Sequence, residues 1–207
     1  AGNAAGKHTV ALLTAMHQPL GKHIGNWLEM YQTFQLLQKG GGSACGSHHL
    51  CDDLLNVTMA LAAQMLMMGN VVRTMHEGLA VAKQSVESGA ALTKFLDMID
   101  GQGGDPSIFF KAKQQQHACK DAIKVVWMGE KKKSKGDNSM VETGGELEQG
   151  CIVDLNALEI GLISNKLGAG REKVDDVIDH CAGMVLEKKV GGIVKRGDVL
   201  ATLYSNR

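Results

Sequence analysis

The C-terminal stretch, residues 150–207, places the strongest constraint on how this chain can fold. Short runs of β-branched and other apolar residues at 175–179, 182–186 and 190–200 are interrupted by glycines. Such runs are too short for helices and are typical of strands joined by tight turns. An apolar, helix-like run precedes a glycine-containing turn at 167–171. The sequence therefore predicts a compact module with one helix and several short strands.

The composition argues against several classes of protein. Lys and Arg number 22, as do Asp and Glu, so the formal net charge is zero and no overall field favours nucleic acid or an anionic membrane. The five cysteines, an odd number without a Cys-x-x-Cys pair, favour free thiols and a reducing compartment, and we expect a cytoplasmic protein. No apolar run of about 18 residues and no leader-like segment occurs, so we expect neither a membrane span nor a signal peptide.

The first segment of the chain predicts a strand followed by a helix. Residues 9–14 form an apolar run that is too short for a helix and does not alternate, which is typical of a strand buried on both faces in a parallel sheet. Apolar residues at helical spacing follow, and the glycines of residues 40–42 end the predicted helix. The residues that share the apolar face of this helix are Ile24, Trp27, Leu28, Tyr31 and Phe34.

Three more helices are predicted, at about 52–68, 71–86 and 90–100, and the loop at 101–106 ends the helical series. The apolar stripe of the first of these helices consists of Leu54, Val57, Leu61 and Met65. We interpret the methionines of this region as core-filling residues rather than a ligand-binding strip. These methionines are Met59, Met65, Met67, Met68 and Met75.

The composition changes after Pro106, and we place a domain boundary at residue 117. Residues 1–117 are predicted to be mostly helical, and residues 118–207 form a smaller α+β domain that begins with a strand-like run at 122–127. An insertion at about 130–149 is rich in charges and turn-forming residues, so we expect an exposed, solvated excursion. Acidic neighbours offset its lysines, and we assign it no function.

Several blocks of sequence, in their order and spacing, resemble one known family. They lie at residues 14–21, 24–29, 57–60, 102–106, 167–171, 178–179, 197–198 and 203–206, and they include Gln102-Gly103-Gly104-Asp105-Pro106 and Leu167-Gly168-Ala169-Gly170-Arg171. Together they resemble the C-terminal half of the thymidine and pyrimidine nucleoside phosphorylases over nearly the whole chain. The resemblance implies an α/β fold, in which part of a mixed-sheet catalytic domain at 1–117 precedes a small, hammerhead-like α+β C-terminal domain at 118–207.

The resemblance also implies an activity. In this family phosphate displaces a pyrimidine base from a (deoxy)nucleoside in a reversible reaction, which gives the free base and (deoxy)ribose 1-phosphate. The expected enzyme is thus a pentosyltransferase of pyrimidine metabolism and nucleoside salvage, a homodimer when complete, with phosphate as co-substrate and no required cofactor. The preference for thymidine or uridine stays open, because the residues that read the base lie outside this sequence.

The family motifs that hold phosphate and base precede the segment that corresponds to residues 9–14. The resemblance therefore implies no catalytic, phosphate-binding or base-binding residue in this chain. Lys7-His8-Thr9 is similar to the family's Lys-His-Ser-Thr phosphate motif, but no Gly-Gly follows it. We expect the isolated chain to be inactive and to need the N-terminal half of the phosphorylase, or a companion chain, as its partner.

The resemblance implies one site inside the chain. Some bacterial members bind a monovalent cation such as K⁺ through main-chain carbonyls and a Glu, and the corresponding residues here are Leu20, His23 and Gln32. Gln32 replaces the Glu, and its neutral amide oxygen can ligate a cation without offsetting its charge. The alternative is an ordinary exposed Gln beside an empty turn.

Two other local patterns invite a ligand interpretation. Cys45, His48, His49 and Cys51 are zinc-ligand types, but their spacing fits no recognised zinc motif, and a solvated polar loop is the alternative. Residues 167–171 contain a Gly-x-Gly, but no helix start follows it as a phosphate cradle requires. We expect both glycines to adopt positive φ at a helix end, and Arg171 to cap that helix or to pair with Asp175 or Asp179.

A second functional hypothesis comes from the shape of the tail. Residues 190–198 resemble the hammerhead shape of biotinyl and lipoyl domains, so the chain could be a stand-alone binding or carrier module without catalysis. A carrier needs a modified lysine exposed at a hairpin tip. The candidates are Lys188 and Lys189, which lack the flanking residues of true carriers.

Overall fold

The computed structural model describes residues 2–40, 50–115, 121–131, 146–171 and 173–206. The chain forms two compact units. The first, which we call the helical unit, comprises residues 1–16 and 29–116; the second, the sheet unit, comprises residues 17–28 and 117–207. Residues 17–28 thus group with the C-terminal part of the chain, whereas the sequence assigned them to the N-terminal domain.

The helical unit is built from α1 (Asn26–Gln38), α2 (Asp52–Met68), α3 (Met75–Glu87), α4 (Ala90–Gly101) and α5 (Ser107–Gln115), after a short 3₁₀ turn at Asn3–Ala5. The first residues of α1 belong to the sheet unit. The predicted helices at 52–68 and 90–100 are confirmed. α3 begins at Met75 rather than Val71, and Ile24 lies in a strand rather than on α1.

Side-chain caps explain where two helices begin. Thr74 Oγ1 accepts a hydrogen bond from Glu77 N at 3.2 Å, while Glu77 Oε2 accepts one from Arg73 N at 2.9 Å. Asp105 accepts hydrogen bonds from the backbone N and the hydroxyl of Ser107, at 2.9 and 2.8 Å, just before α5. The prediction that the helical series ends at the loop 101–106 is therefore wrong, because a capping carboxylate in that loop starts a further helix.

A pair of small residues brings α2 and α3 together. A Cβ atom on Gly78 would lie 2.9 Å from both Cα and Cβ of Ala63, and Ala63 is fully buried. This close approach selects the face of α2 that packs. The predicted stripe is therefore wrong at its C-terminal end, where Leu61 and Met65 are exposed, Met65 by 71%. Met75 is exposed as well, so the prediction of core-filling methionines is wrong for Met65 and Met75, whereas Met59, Met67 and Met68 are half-buried.

Aromatic rings form the centre of the helical unit. The ring of Phe34 stacks on that of Phe109 at 5.3 Å, and Phe95 meets Phe109 edge to face at 5.4 Å. All three side chains are buried, as is Tyr31. The predicted apolar face of α1 is thus confirmed from Leu28 to Phe34, and α5, through Phe109, contributes to the same core.

Residues 9–14 do not form a strand. Val10 is 42% exposed and Leu13 is fully exposed. A strand buried on both faces needs partner strands on its two sides to satisfy its backbone groups. The strand partners in the described part of the chain lie in the sheet unit, so the predicted strand is wrong for this structure.

The sheet unit contains β1 (His23–Ile24), β2 (Asp121–Val126), β3 (Glu130–Lys131), β4 (Glu146–Leu147), β5 (Gln149–Cys151), β6 (Gly183–Leu186), β7 (Ile193–Lys195) and β8 (Val199–Ser205). Four of these strands form an antiparallel sheet in the order β1-β6-β8-β2. Two small antiparallel ribbons pair β3 with β4 and β5 with β7. Most of the predicted insertion at 130–149 lies outside the described residues.

One helix, α6 (Ala157–Ser164), and a π-helical turn at Asn165–Ala169 cover this sheet. Met184, Leu186 and Ala201 are buried at the centre, and Ile24, Leu155, Ile160, Leu167 and Leu203 pack against them. The helical unit, and the antiparallel sheet covered by α6, confirm the predicted α/β class with a small α+β domain.

The backbones of β1 and β6 lie side by side, and they come into direct contact at Gly25 and Gly183. Gly25 has φ 127° and Gly183 has φ 149°, conformations that side-chain-bearing residues rarely adopt. A Cβ on Gly25 would lie 3.0 Å from Cα of Gly183, and a Cβ on Gly183 would overlap the carbonyl oxygen of Ile24. Both glycines are therefore required for residues 17–28 to join the sheet.

The segment at 175–179 is not a strand, contrary to the sequence prediction. Its carboxylates bond to the local backbone instead. Asp176 Oδ2 accepts a hydrogen bond from Lys173 N at 2.9 Å, and Asp179 Oδ1 accepts one from Cys181 N at 3.0 Å. Side chains that bond to nearby backbone in this way favour turns over strands.

An ion pair joins two turns of the sheet unit. Lys188 Nζ lies 2.9 Å from Asp198 Oδ2, which also accepts a hydrogen bond from Lys195 N at 3.1 Å. The hydrogen bond from the Lys188 side chain is the main reason that the pKa of the Asp198 carboxyl lies below its ordinary value of 3.8. The hydrogen bond from the Lys195 backbone N–H lowers this pKa further.

No helix in the described ranges, from residue 2 to residue 206 with their gaps, is both long and apolar enough to cross a membrane.

We expect Gly183→Ala to lower the free energy of unfolding by about 2–4 kcal/mol, because the new Cβ meets the Ile24 carbonyl at a strained φ. Urea unfolding followed by circular dichroism measures this change. Gly161→Ala is the matched control, since Gly161 lies in α6 with open space around its Cβ position. That variant should gain about 0.5–1 kcal/mol from helix propensity. Equal effects of the two substitutions would contradict the close backbone contact at Gly183.

Asp198→Asn should remove part of the acid sensitivity of the sheet unit. Because the folded-state pKa is lowered, the carboxylate stabilises the fold at pH values above its unfolded pKa of about 3.8, and this contribution is lost as the pH falls through the folded pKa. The difference in unfolding midpoint between wild type and variant should be constant above about pH 5 and shrink towards pH 3. In a Lys188→Met background the same substitution should have a smaller effect.

Candidate functional site

The turn that begins at His17 is fixed to the sheet unit through its carbonyl oxygens. His17 O accepts a hydrogen bond from Ala157 N at 3.1 Å. Pro19 O accepts one from Lys189 Nζ at 2.8 Å, and the Lys189 side chain is buried. Lys22 O accepts one from Leu186 N at 2.8 Å. The structure thus holds this turn from three separate segments, α6, β6 and the turn after β6.

Two of the predicted cation ligands belong to this turn. Leu20 is 46% exposed, whereas His23 is buried and lies opposite Val185 in the β1–β6 ladder. Because Lys22 and Leu186 form a hydrogen-bonded position, the alternation of an antiparallel ladder directs the backbone C=O of His23 away from β6. Leu20 and His23 are three residues apart along the chain, and Gly21, which lies between them, has a positive φ.

The third predicted ligand, Gln32, lies on α1 in the helical unit. Its side chain is 2% exposed, and its Nε2 donates a hydrogen bond to Cys51 Sγ at 3.0 Å. The alternative of an ordinary exposed Gln is therefore wrong. The Gln32 amide therefore makes at least one structural contact within the helical unit.

The predicted zinc-ligand cluster is only partly within the described residues. Cys45, His48 and His49 lie outside them, and Cys51 is buried and takes part in a disulfide. The expectation of free thiols is therefore wrong for Cys51, although Cys151 and Cys181 are free. In the part of the chain that the structure describes, no three His, Cys, Asp or Glu side chains are grouped as metal ligands.

The turn at residues 167–171 accepts hydrogen bonds from three distant parts of the sheet unit. Leu167 O accepts from Ser205 Oγ at 2.8 Å, Gly168 O from Asp179 N at 2.9 Å, and Ala169 O from Asn26 Nδ2 at 3.0 Å. Its carbonyls are thus used to hold the fold together. A phosphate cradle would instead present backbone N–H groups to the anion.

The expected backbone and pairing at this turn are only half correct. Gly168 has φ 116°, as predicted, whereas Gly170 is extended with φ −133°. Arg171 is exposed and forms no ion pair with Asp175 or Asp179. Asp179 Oδ2 accepts a hydrogen bond from Asn206 Nδ2 at 2.9 Å instead.

Both lysines of the carrier hypothesis are engaged by the fold. Lys188 Nζ donates to Ile193 O at 3.0 Å in addition to its ion pair with Asp198. Lys189 is buried against the Pro19 carbonyl. A carrier lysine must reach out to a modifying enzyme from an exposed hairpin tip, so this geometry speaks against the carrier hypothesis.

The sequence did not predict which side chains hold distant segments of the sheet unit together. Asn26, Lys189 and Ser205 bond to partners 143, 170 and 38 residues away along the chain. Asn26 and Ser205 fall inside two of the blocks that carry the family resemblance, which is the signal that could have singled them out. Their roles depend on contacts that no local pattern encodes.

Comparison with known proteins identifies the relatives of this chain. Residues 151–207 match the family model of the pyrimidine nucleoside phosphorylase C-terminal domain. The chain is 34% identical over 206 residues to the pyrimidine-nucleoside phosphorylase of Staphylococcus haemolyticus (strain JCSC1435). It has the same identity over the same length to the enzymes of that name from Staphylococcus aureus strains bovine RF122 / ET3-1 and USA300.

Each match includes 100% of this chain but 41% of the relative. The chain therefore spans about two fifths of the length of the curated relatives it matches. The domain match at residues 151–207 places the aligned part at the C-terminal end of those relatives. The resemblance is thus confirmed: this chain is similar over its whole length to the C-terminal part of pyrimidine-nucleoside phosphorylases and carries the C-terminal domain of that family.

Proposed function

We propose that this chain is the C-terminal part of a phosphorylase that cleaves pyrimidine nucleosides. Phosphate attacks the anomeric carbon of the sugar, the bond to the base breaks, and the products are the free base and (deoxy)ribose 1-phosphate. The observation that carries the proposal is the 34% identity over 206 residues to relatives named for this activity. We propose thymidine as one of the substrates. We also propose that the enzyme acts in nucleoside salvage and is located in the cytoplasm.

The chain contributes structure rather than reacting groups in this proposal. Charge develops on the departing base and on phosphate, and an enzyme stabilises that charge with fixed donors. The turn at 167–171 uses its carbonyls as acceptors for Ser205, Asp179 and Asn26, and this role is structural. The sheet unit instead holds the His17–Gly21 turn in place, next to which the phosphate- and base-binding portion would be positioned.

The proposed partner is the N-terminal portion of the phosphorylase, in the same or a companion polypeptide. The substrates of the assembled enzyme are a pyrimidine nucleoside and phosphate, no further cofactor is required, and the assembly is a homodimer. The formal net charge of zero supports a protein that binds neither nucleic acid nor a membrane surface.

The activity should appear only on complementation. We expect no release of thymine or uracil by this chain alone, and measurable release when it is mixed with the unmatched portion of the Staphylococcus haemolyticus relative. Chromatography of free base and sugar 1-phosphate measures the reaction. Omission of phosphate is the control, because phosphorolysis then stops whereas hydrolysis continues.

Two results would reject this proposal. Phosphate-dependent turnover by the isolated chain would show that its site is complete, contrary to the missing motifs. An intact mass increased by a lysine-linked cofactor would favour the carrier hypothesis, although the engaged Lys188 and Lys189 speak against it.

We also propose that the turn carrying Leu20 and His23 supplies main-chain carbonyl ligands to a monovalent cation. The support is the orientation of the His23 carbonyl away from β6. Hard cations prefer such oxygen ligands. Gln32 stays a prediction of the family resemblance, since its buried amide already bonds to Cys51.

Potassium should stabilise the complemented enzyme. At a K⁺ concentration ten times its Kd we expect a gain of about 1.4 kcal/mol over choline chloride at equal ionic strength. Gly21→Ala should reduce this gain, because φ at Gly21 is 69° and a side chain there strains the turn. Gly6→Ala is the matched control, with φ 71° and open space around its Cβ position. Identical unfolding midpoints in both salts would reject the cation site.

A further inference from the structure

Helix α6 exposes several apolar side chains on the face that it turns away from the core of the sheet unit, beside the exposed Glu159. Leu158 is 72% exposed, Leu162 is 53% exposed and Ile163 is 44% exposed. Glu159 and Ser164 are the only strongly polar residues in this helix. A surface helix normally presents polar side chains on its outer face, so the composition of α6 is unusual for an exposed helix.

The spacing along α6 separates its two faces. Ala157, Ile160 and Ser164 recur at helical spacing on the inner side, where Ile160 packs against the core of Met184, Leu186 and Ala201. Leu158 and Leu162 are four residues apart and share the opposite side. The inner face is therefore already used by the sheet unit, and the two exposed leucines form a separate apolar surface.

Such an apolar surface favours contact with another protein surface. A helix that is hydrophobic all round is typically buried in a larger protein. Each leucine removed from water contributes to association in proportion to the apolar area that it buries. Exposed apolar patches of this kind are characteristic of protein–protein contacts.

We propose that the outer face of α6, formed by Leu158 and Leu162 and flanked by Ile163 and Glu159, docks on the N-terminal portion of the phosphorylase polypeptide. This inference rests on the proposed function. The N-terminal portion is chosen as the occupant by length, because the alignment covers 41% of the matched relatives and the rest of their chain is available as a binding surface. The complementary surface is expected to be mainly apolar, because the docking face is centred on two leucines.

The test uses the full 207-residue chain and the separately produced, unmatched portion of the Staphylococcus haemolyticus relative. Sedimentation velocity and calorimetry should detect a complex. The double variant Leu158→Gln/Leu162→Gln should weaken it about tenfold or more, because two leucines lose their apolar contact. The variant should leave the circular dichroism spectrum and the unfolding midpoint of the isolated chain unchanged, since both side chains face solvent there.

Met98→Gln is the matched control, since it makes the same apolar-to-amide change at a site that is 46% exposed on a helix of the other unit. It should not weaken the complex. Equal weakening by the control, undiminished binding of the double variant, or the absence of any complex would each overturn the inference. Destabilisation of the isolated chain by the double variant would overturn it too, because the leucines would then pack within this chain. Loss of self-association would identify a second copy as the occupant and have the same consequence.

The outcomes separate this inference from the proposed function. A complex that depends on Leu158 and Leu162 but does not release base supports the docking surface and rejects the activity. Phosphorolysis that is equally fast with the wild-type chain and the double variant at limiting concentrations supports the activity and rejects the docking surface.

Discussion

The close contact between two backbone segments, at Gly25 and Gly183, is the constraint on which the sheet unit depends. It lets β1 pair with β6, so that His23 lies opposite Val185 and Ile24 opposite Met184. A Cβ at either glycine would meet the backbone of the opposing segment. Next to this contact the start of α1 is fixed as well, because Trp27 N donates a hydrogen bond to His180 O at 3.1 Å. A short N-terminal segment thereby becomes part of a C-terminal domain.

The turn at 167–171 is a second junction of the same unit. Three successive carbonyls, on Leu167, Gly168 and Ala169, accept hydrogen bonds from Ser205, Asp179 and Asn26. Carbonyls at a helix end need partners outside the helix, and here those partners come from distant segments. This arrangement explains why a glycine-containing stretch that resembles a phosphate loop has a structural role.

Local patterns in the sequence were sufficient where an element stabilises itself or packs by regular spacing. The helices at 52–68 and 90–100 and the buried face of α1 follow from apolar periodicity. The strand at 122–127 was likewise predicted close to β2. Local patterns failed where the outcome depended on neighbours. Residues 9–14 have strand composition without a strand partner, and Met65 has core composition but lies on a face that the Ala63–Gly78 contact turns towards solvent.

The sequence by itself determined the similarity to pyrimidine-nucleoside phosphorylases, the helices at 52–68 and 90–100, and the strand close to β2. These properties depend on which residues are present and on their spacing. Only the tertiary structure decided that residues 17–28 join the C-terminal sheet, that Gln32 and Lys189 are buried, and that α6 exposes Leu158 and Leu162. The physical reason is that burial and hydrogen-bond partners are set by segments far apart in the chain, such as Lys189 and Pro19, and no local pattern specifies which of them meet.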